Sequence, residues 1–389
     1  MRQPDGSSGK GMRLSRYVDR DGKRLRCGYT TGACAAAAAK AAATLLLTGE
    51  TPARVALTVP AGATLMLEVA QAAAEEGWAR CAVRKDSGDD PDVTHGVWVY
   101  ATVSRIPSGI AIDGGEGVGR VTKPGLDQPI GNAAINSVPR RMIEQAVLEV
   151  ARACAYDGGL SVVISIPAGV ALAARTFNPR LGIEGGISVI GTTGIVEPMS
   201  DAAIVETIRA ELSVRRAGGG THAILAPGNY GEAFLRAHFG IAETSVIQCS
   251  NFIGDAVEMA SGQGFSGLLL VGHLGKLVKL AGGMLNTHSR YGDCRMPLLC
   301  AHAARHGLAP GQAAALMDAV TVDEGLRVLD AAGIREETMR DIVAAALAHI
   351  RRRAGDMNVG LAVFTNAHGL LGQTENMPAL LSRIREEAE

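Results

Sequence analysis

The sequence predicts an α/β fold class, with an α+β domain followed by an α/β domain that contains a mostly parallel sheet. The chain has 389 residues, a length that fits two domains. Strand–loop–helix units repeat three times within residues 223–280, which is typical of a parallel sheet. The Arg/Gly run at 215–220 breaks the composition as a domain linker does. We therefore predict a basic flexible extension at 1–24, an α+β domain at 25–216 and an α/β domain at 217–389.

Periodicity and turn residues predict the elements of the first domain. An Ala-rich helix begins after Thr30 or Thr31, either of which can cap it, and runs to about Leu47. Apolar and polar residues alternate at 54–59 and at 64–69 on either side of a Pro-Ala-Gly turn, which predicts a strand hairpin. The remaining patterns predict strands ending near 104 and at 110–112 and 160–166, with an amphipathic helix at 142–156.

The second domain is predicted from its three βα units. Strands at 223–226, 245–249 and 267–271 each lead through a polar loop into a helix. Residues 296–352 have a helical pattern, 361–364 return as a strand, and a charged helix ends the chain. In such sheets ligands bind at the carboxyl ends of the strands, so we expect a site there.

Composition excludes several classes of function. The formal net charge is −1 and aromatic residues make up 4%, which argues against a nucleic-acid partner. No segment approaches about 18 uncharged apolar residues, so no membrane span is predicted. The seven cysteines show no C-x-x-C spacing, which predicts reduced thiols and a cytoplasmic location. P-loop and G-x-S-x-G motifs do not occur in the sequence.

The stretch K-D-S-G-D-D-P-D-V-T-H-G at 85–96 is the first candidate site. Glycine and proline exclude a continuous helix or strand, and apolar runs flank the stretch, so we predict a loop between two strands. Loops on a rigid frame often carry catalytic groups, although a solvated acidic turn would look the same. The candidate catalytic residues are Asp89, Asp90, Asp92 and His95. Their spacing matches no metal-binding motif, so we predict no metal ligands.

Three other patterns suggest ligand contacts. The glycines of 114–119 lack a following helix and so are not a dinucleotide fingerprint; they indicate close approach to a bulky ligand, or a tight turn. The first turn of the Ala-rich helix suits a carboxylate or phosphate. The end of one predicted strand, where a ligand would bind, is surrounded by two histidines and two lysines: His273, Lys276, Lys279 and His288.

Six blocks of the sequence together resemble the CbiD family, the cobalt-precorrin-5B C(1)-methyltransferases of corrin-ring biosynthesis. They are L-R-C-G-Y-T-T-G-A-C-A-A-A-A-A at 25–39, the acidic loop, G-G-E-G-V-G-R-V-T-K-P-G-L at 114–126, T-F-N-P-R-L-G-I-E-G-G-I-S-V-I-G-T-T-G-I-V-E-P-M at 176–199, N-F-I-G-D at 251–255, and G-H-L-G-K-L-V-K-L-A-G-G at 272–283 with N-T-H-S at 286–289. One stretch departs from the family pattern: G-N-A-A-I-N-S-V-P-R at 131–140 stands where the family has G-E-P-A-I-N-P-V-P-R.

The resemblance implies transfer of a methyl group from S-adenosylmethionine to C-1 of cobalt-precorrin-5B, giving cobalt-precorrin-6A. The cobalt would arrive with the tetrapyrrole substrate. His95 or one of the three aspartates is the candidate base, and a carboxylate would also hold the sulfonium. The candidate substrate ligands are Thr30, Thr31, Gly32, Lys85, Arg120, Lys123, Asn136, Arg140, Arg180, His273, Lys276, Lys279 and His288. The candidate donor-binding residues are Gly114, Gly115, Gly117, Gly119, Gly191, Thr192, Thr193 and Asn251.

Two other functions fit the same residues. A non-catalytic tetrapyrrole carrier or assembly protein, which could form a homo-oligomer, would use the same basic and Gly-rich surface without S-adenosylmethionine. A metal-dependent phosphoryl-transfer enzyme could be built on the acidic loop.

Overall fold

The computed structural model describes residues 14–387. Contacts divide the chain into two compact units, Met1–Ser200 and Asp201–Glu389. Both mix helices and strands, which confirms the predicted fold class. Residues 1–13 of the predicted flexible extension lie outside the described residues.

Unit 1 contains fifteen strands and four helices among its described residues. The strands are β1 (Tyr17–Arg20), β2 (Lys23–Arg26), β3 (Gly28–Tyr29), β4 (Arg54–Thr58), β5 (Thr64–Glu68), β6 (Ala70–Glu75), β7 (Trp78–Arg84), β8 (Trp98–Ile106), β9 (Ile110–Gly114), β10 (Gly117–Val118), β11 (Arg120–Val121), β12 (Gly159–Ser165), β13 (Ile183–Glu184), β14 (Gly186–Ile187) and β15 (Ile195–Val196). The helices are α1 (Thr31–Thr48), α2 (Ser137–Ala153), α3 (Gly169–Ala173) and α4 (Asn178–Leu181).

The main sheet of unit 1 has the order β6-β7-β8-β12-β9. All its neighbours are antiparallel except β12 and β9, which are parallel. Helix α1 packs against β7, β8 and α2. Its alanines are almost all fully buried, and their small side chains let sheet and helix approach closely. By length and composition α1 could cross a membrane, but 72% of it is buried inside the structure, as in a core helix.

Unit 2 contains five strands and nine helices among its described residues. The strands are β16 (His222–Ala226), β17 (Val246–Gln248), β18 (Gly267–His273), β19 (Asn358–Thr365) and β20 (Gly369–Gln373). The helices are α5 (Asp201–Ala217), α6 (Asn229–Phe239), α7 (Ile253–Gly262), α8 (Leu274–Leu277), α9 (Arg295–Ala304), α10 (Pro310–Asp318), α11 (Val322–Ala332), α12 (Arg335–Ala354) and α13 (Met377–Glu386).

The sheet of unit 2 has the order β17-β16-β18-β19-β20, and only β20 is antiparallel to its neighbour. Both faces are buried. Along β18, Leu268 and Leu270 enter one apolar core, whereas Leu269 and Val271 enter the core on the other face. This explains the continuous apolar run in the sequence and confirms the mostly parallel sheet.

Two predicted boundaries differ from the structure. Residues 17–24 of the predicted extension belong to the antiparallel hairpin β1–β2, in which Tyr17 pairs with Arg26 and the turn lies at Asp21–Gly22. Residues 215–220 are not a linker between domains. They are the end of helix α5, whose Ile208 and Leu212 are buried in the core of unit 2, so that the units divide after Ser200.

Candidate functional site

The acidic loop connects β7 to β8, which are antiparallel neighbours, as the sequence predicted. Its base is closed by two backbone hydrogen bonds: Lys85 N–H donates to the Val97 carbonyl at 2.9 Å, and Gly96 N–H donates to the Lys85 carbonyl at 2.8 Å. The loop is therefore the end of a hairpin that the central sheet of unit 1 holds in place.

Two glycines let this loop lie directly on the chain at 26–29. A Cβ on Gly28 would lie 2.1 Å from the Ser87 carbonyl carbon. Gly88 has a φ of +68°, and a Cβ there would lie 2.2 Å from the Arg26 oxygen. Tyr29 N–H donates to the Asp86 carbonyl at 2.7 Å across this contact. The first block of the sequence therefore fixes the position of the acidic loop.

Arg26 neutralises the first aspartate of the loop. Its guanidinium donates to both oxygens of Asp86, at 2.8 and 2.7 Å. Burial alone would raise the pKa of Asp86, but the hydrogen bonds from Arg26 and from Gly88 N–H outweigh it, and the pKa lies below its usual range. Neither residue was among the predicted site residues, although Arg26 lies in the first matching block.

Lys85 and Asp92 form a buried ion pair inside the loop. The Lys85 ammonium, whose side chain is 1% exposed, also donates to Ser87 Oγ at 2.7 Å. Burial would raise the pKa of Asp92, but Lys85 and the N–H and hydroxyl of Thr94 lower it overall. Lys85 was predicted to bind substrate. Its ammonium instead braces the loop, because Asp92 and Ser87 occupy it.

The other two candidate aspartates differ in where they lie. Asp90 Oδ1 accepts the backbone N–H of Met199 at 3.0 Å, and this bond holds the last residues of unit 1 against the loop. Asp89 is exposed, and its Oδ2 accepts the backbone N–H of Arg26 at 2.6 Å. Among the described residues, no group of three or more His, Cys, Asp or Glu side chains could hold a metal ion.

His95 is held in one tautomer by the loop backbone. Its Nδ1 accepts the N–H of Ser87 at 3.1 Å, so the proton of the neutral ring lies on Nε2. In this arrangement the exposed ring nitrogen donates a hydrogen bond rather than accepting a proton. The structure therefore favours His95 as a donor to a ligand over its predicted role as a base.

A cavity of about 650 Å³ opens beside the loop. This volume lies within the range of small-molecule sites. Asp89 and His95 line it, whereas Asp90 and Asp92 do not. The other lining residues are Arg26, Tyr29, Met66, Leu67, Glu68, Ala70, Val83, Arg84, Lys85, Asp86, Gly88, Gly96 and Trp98. Two of the four candidate catalytic side chains, Asp89 and His95, thus line one cavity. Aromatic and charged side chains line the rest of it.

The predicted anion site at the start of α1 is closed by the chain itself. Thr30 Oγ1 caps the helix by accepting Ala33 N–H at 3.1 Å, and Gly32 N–H donates to the Ile190 carbonyl at 3.0 Å. Thr30 and Thr31 are buried, and a Cβ on Gly32 would lie 2.7 Å from Pro139. Protein atoms therefore surround Thr30, Thr31 and Gly32, and their role as substrate ligands stays a prediction.

The glycines at 114–119 also pack against the protein rather than against an open space. A Cβ on Gly117 would lie 1.8 Å from the Ile166 oxygen, and one on Gly115 would lie 2.5 Å from Ser165 Oγ. Gly114 faces Val118 and Ala133, and Gly119 faces Ile183. These glycines permit close packing against the end of β12 and against β13, so the tight-turn alternative is favoured over binding of the methyl donor.

Gly191 and its neighbours cover the start of α1. A Cβ on Gly191 would lie 2.3 Å from Thr30 Oγ1, and Thr193 Oγ1 donates to the Ile195 carbonyl at 2.9 Å. Thr192 is exposed. Gly191 and Thr193 thus stabilise the loop between β14 and β15, and both Thr192 and Thr193 are exposed to solvent.

The predicted basic ligands of unit 1 are engaged to different degrees. The Arg140 guanidinium donates to the carbonyls of Ile135, Ile112 and Ala133, so it braces the backbone instead of facing a substrate acid. Arg120 forms a two-point pair with Asp113 at 2.7 and 2.9 Å. The remaining predicted ligands of this unit lie at its surface or at helix ends: exposed Lys123, half-buried Arg180 in α4, and Asn136 at the N-cap of α2.

The second candidate cluster lies at the carboxyl end of β18, as predicted. His273 Nδ1 accepts Gly275 N–H at 3.1 Å, and His288 Nδ1 accepts Arg290 N–H at 3.1 Å. Both rings therefore carry the neutral-state proton on Nε2, as His95 does. Burial lowers the pKa of His273, and the charge of Asp323 partly offsets this.

The two lysines of this cluster lie in different helical segments and have different partners. Helix α8 ends at Leu277 and continues as a 3₁₀ turn, Val278–Gly282. Lys279 is buried and donates to the carbonyls of Thr287 and Gly292, at 3.2 and 3.0 Å, so its ammonium stabilises the loop that follows, and its role in substrate binding stays a prediction. Asn251 accepts the Thr287 hydroxyl at 3.2 Å and braces the same loop.

Comparison with known proteins identifies the class. The CbiD family model matches residues 18–198, and the model of the CbiD C-terminal domain matches 286–375. The cobalt-precorrin-5B C(1)-methyltransferase of Ruminiclostridium cellulolyticum is 42% identical over 91% of this chain and 92% of its own. That of Treponema denticola is 47% identical over 76% and 82%. The cobalamin biosynthesis protein (cbiD) of Archaeoglobus fulgidus, a crystal structure, is 28% identical over 74% and 92%, with a TM-score of 0.40.

These matches define the class of protein as a C-methyltransferase enzyme of cobalamin biosynthesis. The chain belongs to the CbiD family.

Proposed function

We propose that the chain transfers the methyl group of S-adenosylmethionine to C-1 of cobalt-precorrin-5B and forms cobalt-precorrin-6A. The reaction is assigned to the cytoplasm, which agrees with seven free cysteine thiols. The observation that carries the proposal is the cavity that brings Asp89 and His95 together in a chain whose relatives are named for this reaction.

The transfer is an in-line displacement. A new bond forms between C-1 and the methyl carbon as the carbon–sulfur bond breaks, and the electron pair leaves with the neutral thioether S-adenosylhomocysteine. Because the sulfonium is already a good leaving group, positioning and electrostatics supply most of the acceleration.

Asp89 is our proposed base for the proton that leaves the ring system. It lines the cavity, it is exposed, and its partner among the described residues occupies only Oδ2. The carboxylate also stabilises positive charge at the sulfonium before transfer. His95 donates from Nε2–H to an acid arm of the macrocycle and orients it.

The acidic loop is poorly suited to the alternative of metal-dependent phosphoryl transfer. Asp86 is saturated by Arg26, Asp92 by Lys85 and Thr94, and Asp90 accepts a backbone N–H. Carboxylates engaged in this way are not arranged around a common point at which a magnesium ion could sit.

A labelled methyl group tests the proposal. The purified protein would be incubated with cobalt-precorrin-5B and S-adenosylmethionine carrying a ¹³C methyl. We expect one labelled methyl on C-1 by NMR, with one equivalent of S-adenosylhomocysteine. A folded protein that binds the macrocycle and transfers no label would instead be the carrier.

A further inference from the structure

Tyr29 is a buried polar residue in the wall of the unit 1 cavity. It is 7% exposed and belongs to the apolar core of the unit, yet it lines the cavity. Its hydroxyl forms no hydrogen bond with any of residues 14–387, and the oxygen is not sealed from solvent. Because a buried tyrosine hydroxyl usually has a partner, this one is available to a ligand that enters the cavity.

The backbone holds Tyr29 in place on both sides. It pairs with Ile195 across β3 and β15, and its N–H donates to the Asp86 carbonyl at 2.7 Å. The next residue, Thr30, caps helix α1. Because the ring is packed in the core, the hydroxyl has a fixed position, and a ligand can bind it without first ordering the side chain.

The charges around this hydroxyl favour a neutral ligand group. Burial raises the pKa of Tyr29, and the carboxylates of Asp86 and Glu68 raise it further, whereas Arg26 opposes them. The phenol therefore keeps its proton at neutral pH and acts as a hydrogen-bond donor. The Arg26 guanidinium is engaged by both oxygens of Asp86, so it is not free to neutralise a carboxylate of a ligand here.

Apolar side chains line the cavity together with this hydroxyl: Met66, Leu67, Ala70, Val83 and Trp98. Mostly apolar walls with a few polar groups are typical of sites for small organic ligands. The nucleoside of S-adenosylmethionine matches both properties, because its purine has apolar faces while the ring nitrogens and ribose hydroxyls are neutral and polar. The acid arms of the macrocycle fit this position less well, because they need a cation.

We propose that Tyr29 binds the nucleoside of the methyl donor, with its hydroxyl donating a hydrogen bond to a purine nitrogen or a ribose oxygen. This proposal rests on the proposed function, because it assigns the methyl donor to this cavity. Asp89 lines the same cavity, so the proposed contacts of the nucleoside and of the sulfonium both belong to unit 1. Tyr29 was not among the predicted site residues, although it lies in the first matching block of the sequence.

Calorimetry with three ligands tests the contact. S-adenosylhomocysteine and methylthioadenosine share the nucleoside, and only the first carries an amino-acid group. Uroporphyrin is a polycarboxylate macrocycle. Loss of one hydrogen bond in Tyr29→Phe should weaken both adenosyl ligands to the same extent, by about 10-fold. The affinity for uroporphyrin should stay that of the wild type.

Tyr100→Phe is the matched control. The Tyr100 hydroxyl donates to Gln71 in the same unit, and Tyr100 does not line the cavity, so all three affinities should stay unchanged. Tyr29→Phe keeps the packed ring and removes a hydroxyl without a partner in the described structure, so its thermal midpoint should equal or exceed that of the wild type. A midpoint below that of Tyr100→Phe would show that the hydroxyl stabilises the fold, and would overturn the proposal.

The outcomes separate this contact from the proposed function. Unchanged affinity of Tyr29→Phe for both adenosyl ligands overturns the contact while donor use stands. Weaker binding of S-adenosylhomocysteine alone, or of uroporphyrin alone, also overturns it and assigns the hydroxyl to the amino-acid group or to the acid arms. A wild-type protein that binds neither adenosyl ligand contradicts the proposed function itself.

Discussion

The acidic loop of unit 1 and the strand edge of unit 2 use their charges in opposite ways. In the loop, Arg26 and Lys85 neutralise Asp86 and Asp92, so most of its charges hold the loop in shape. At the edge, Lys276 and Asp323 lack such internal partners in the described structure. A dense cluster of charges in a sequence therefore indicates a rigid frame as readily as a site, and the isolated charges are the better candidates for ligand contacts.

The largest effect on stability should come from the buried pair of the loop. Lys85→Met leaves the Asp92 carboxylate without its cation, and should lower the free energy of unfolding by about 3 kcal/mol. Lys40→Met is the control. Its partner Glu149 is 68% exposed, so the loss should be about 1 kcal/mol or less. Urea denaturation measures both, and equal losses would show that Lys85 does not brace the loop.

Two glycine variants separate the stability effect of the contact between the acidic loop and residues 26–29 from the effect of backbone strain. Gly88→Ala places a Cβ 2.2 Å from the Arg26 oxygen at a φ of +68°, whereas Gly62→Ala has a φ of +76° and no atom within 4 Å. We expect losses of about 3 kcal/mol for Gly88→Ala and about 1 kcal/mol for Gly62→Ala. If thermal melts give the two variants the same loss, the loop does not depend on its contact with 26–29.

The paired aspartates predict a dependence on pH. The folded-state pKa of Asp86 is lowered, so its contribution is complete above the ordinary aspartate pKa of about 3.9 and is lost as the pH falls through the lowered value. The stability difference between the wild type and Asp86→Asn should therefore shrink below about pH 4. Denaturation at several pH values measures it, and a constant difference would contradict the pairing.

The histidine tautomers give the mildest test, because NMR measures the position of the ring proton without any mutation. ¹⁵N spectra of the neutral rings should show the proton on Nε2 for His95 in the loop and for His273 and His288 at the edge. A ring protonated on Nδ1 at His95 would restore it as a candidate base.

Local patterns predicted much of this fold, because burial on one or both faces of a strand leaves a direct trace in the sequence. The loop between β7 and β8 followed from Gly88 and Pro91, and the parallel sheet from the βα rhythm. The pairing of Arg26 with Asp86 spans 60 positions and left no such trace. The glycines at 114–119 were ambiguous for the same reason, since a close backbone neighbour and a close ligand demand the same residue.

Single-turnover methylation by Asp89→Asn is the most direct test of the account. Asp89 and Asp90 are adjacent in the sequence, but only Asp89 lines the cavity. Loss of a general base should slow transfer to cobalt-precorrin-5B about 100-fold or more in Asp89→Asn. Asp90→Asn, as the matched control, should keep the wild-type rate. A wild-type rate in a folded Asp89→Asn variant would contradict the assignment of the chemistry to this cavity.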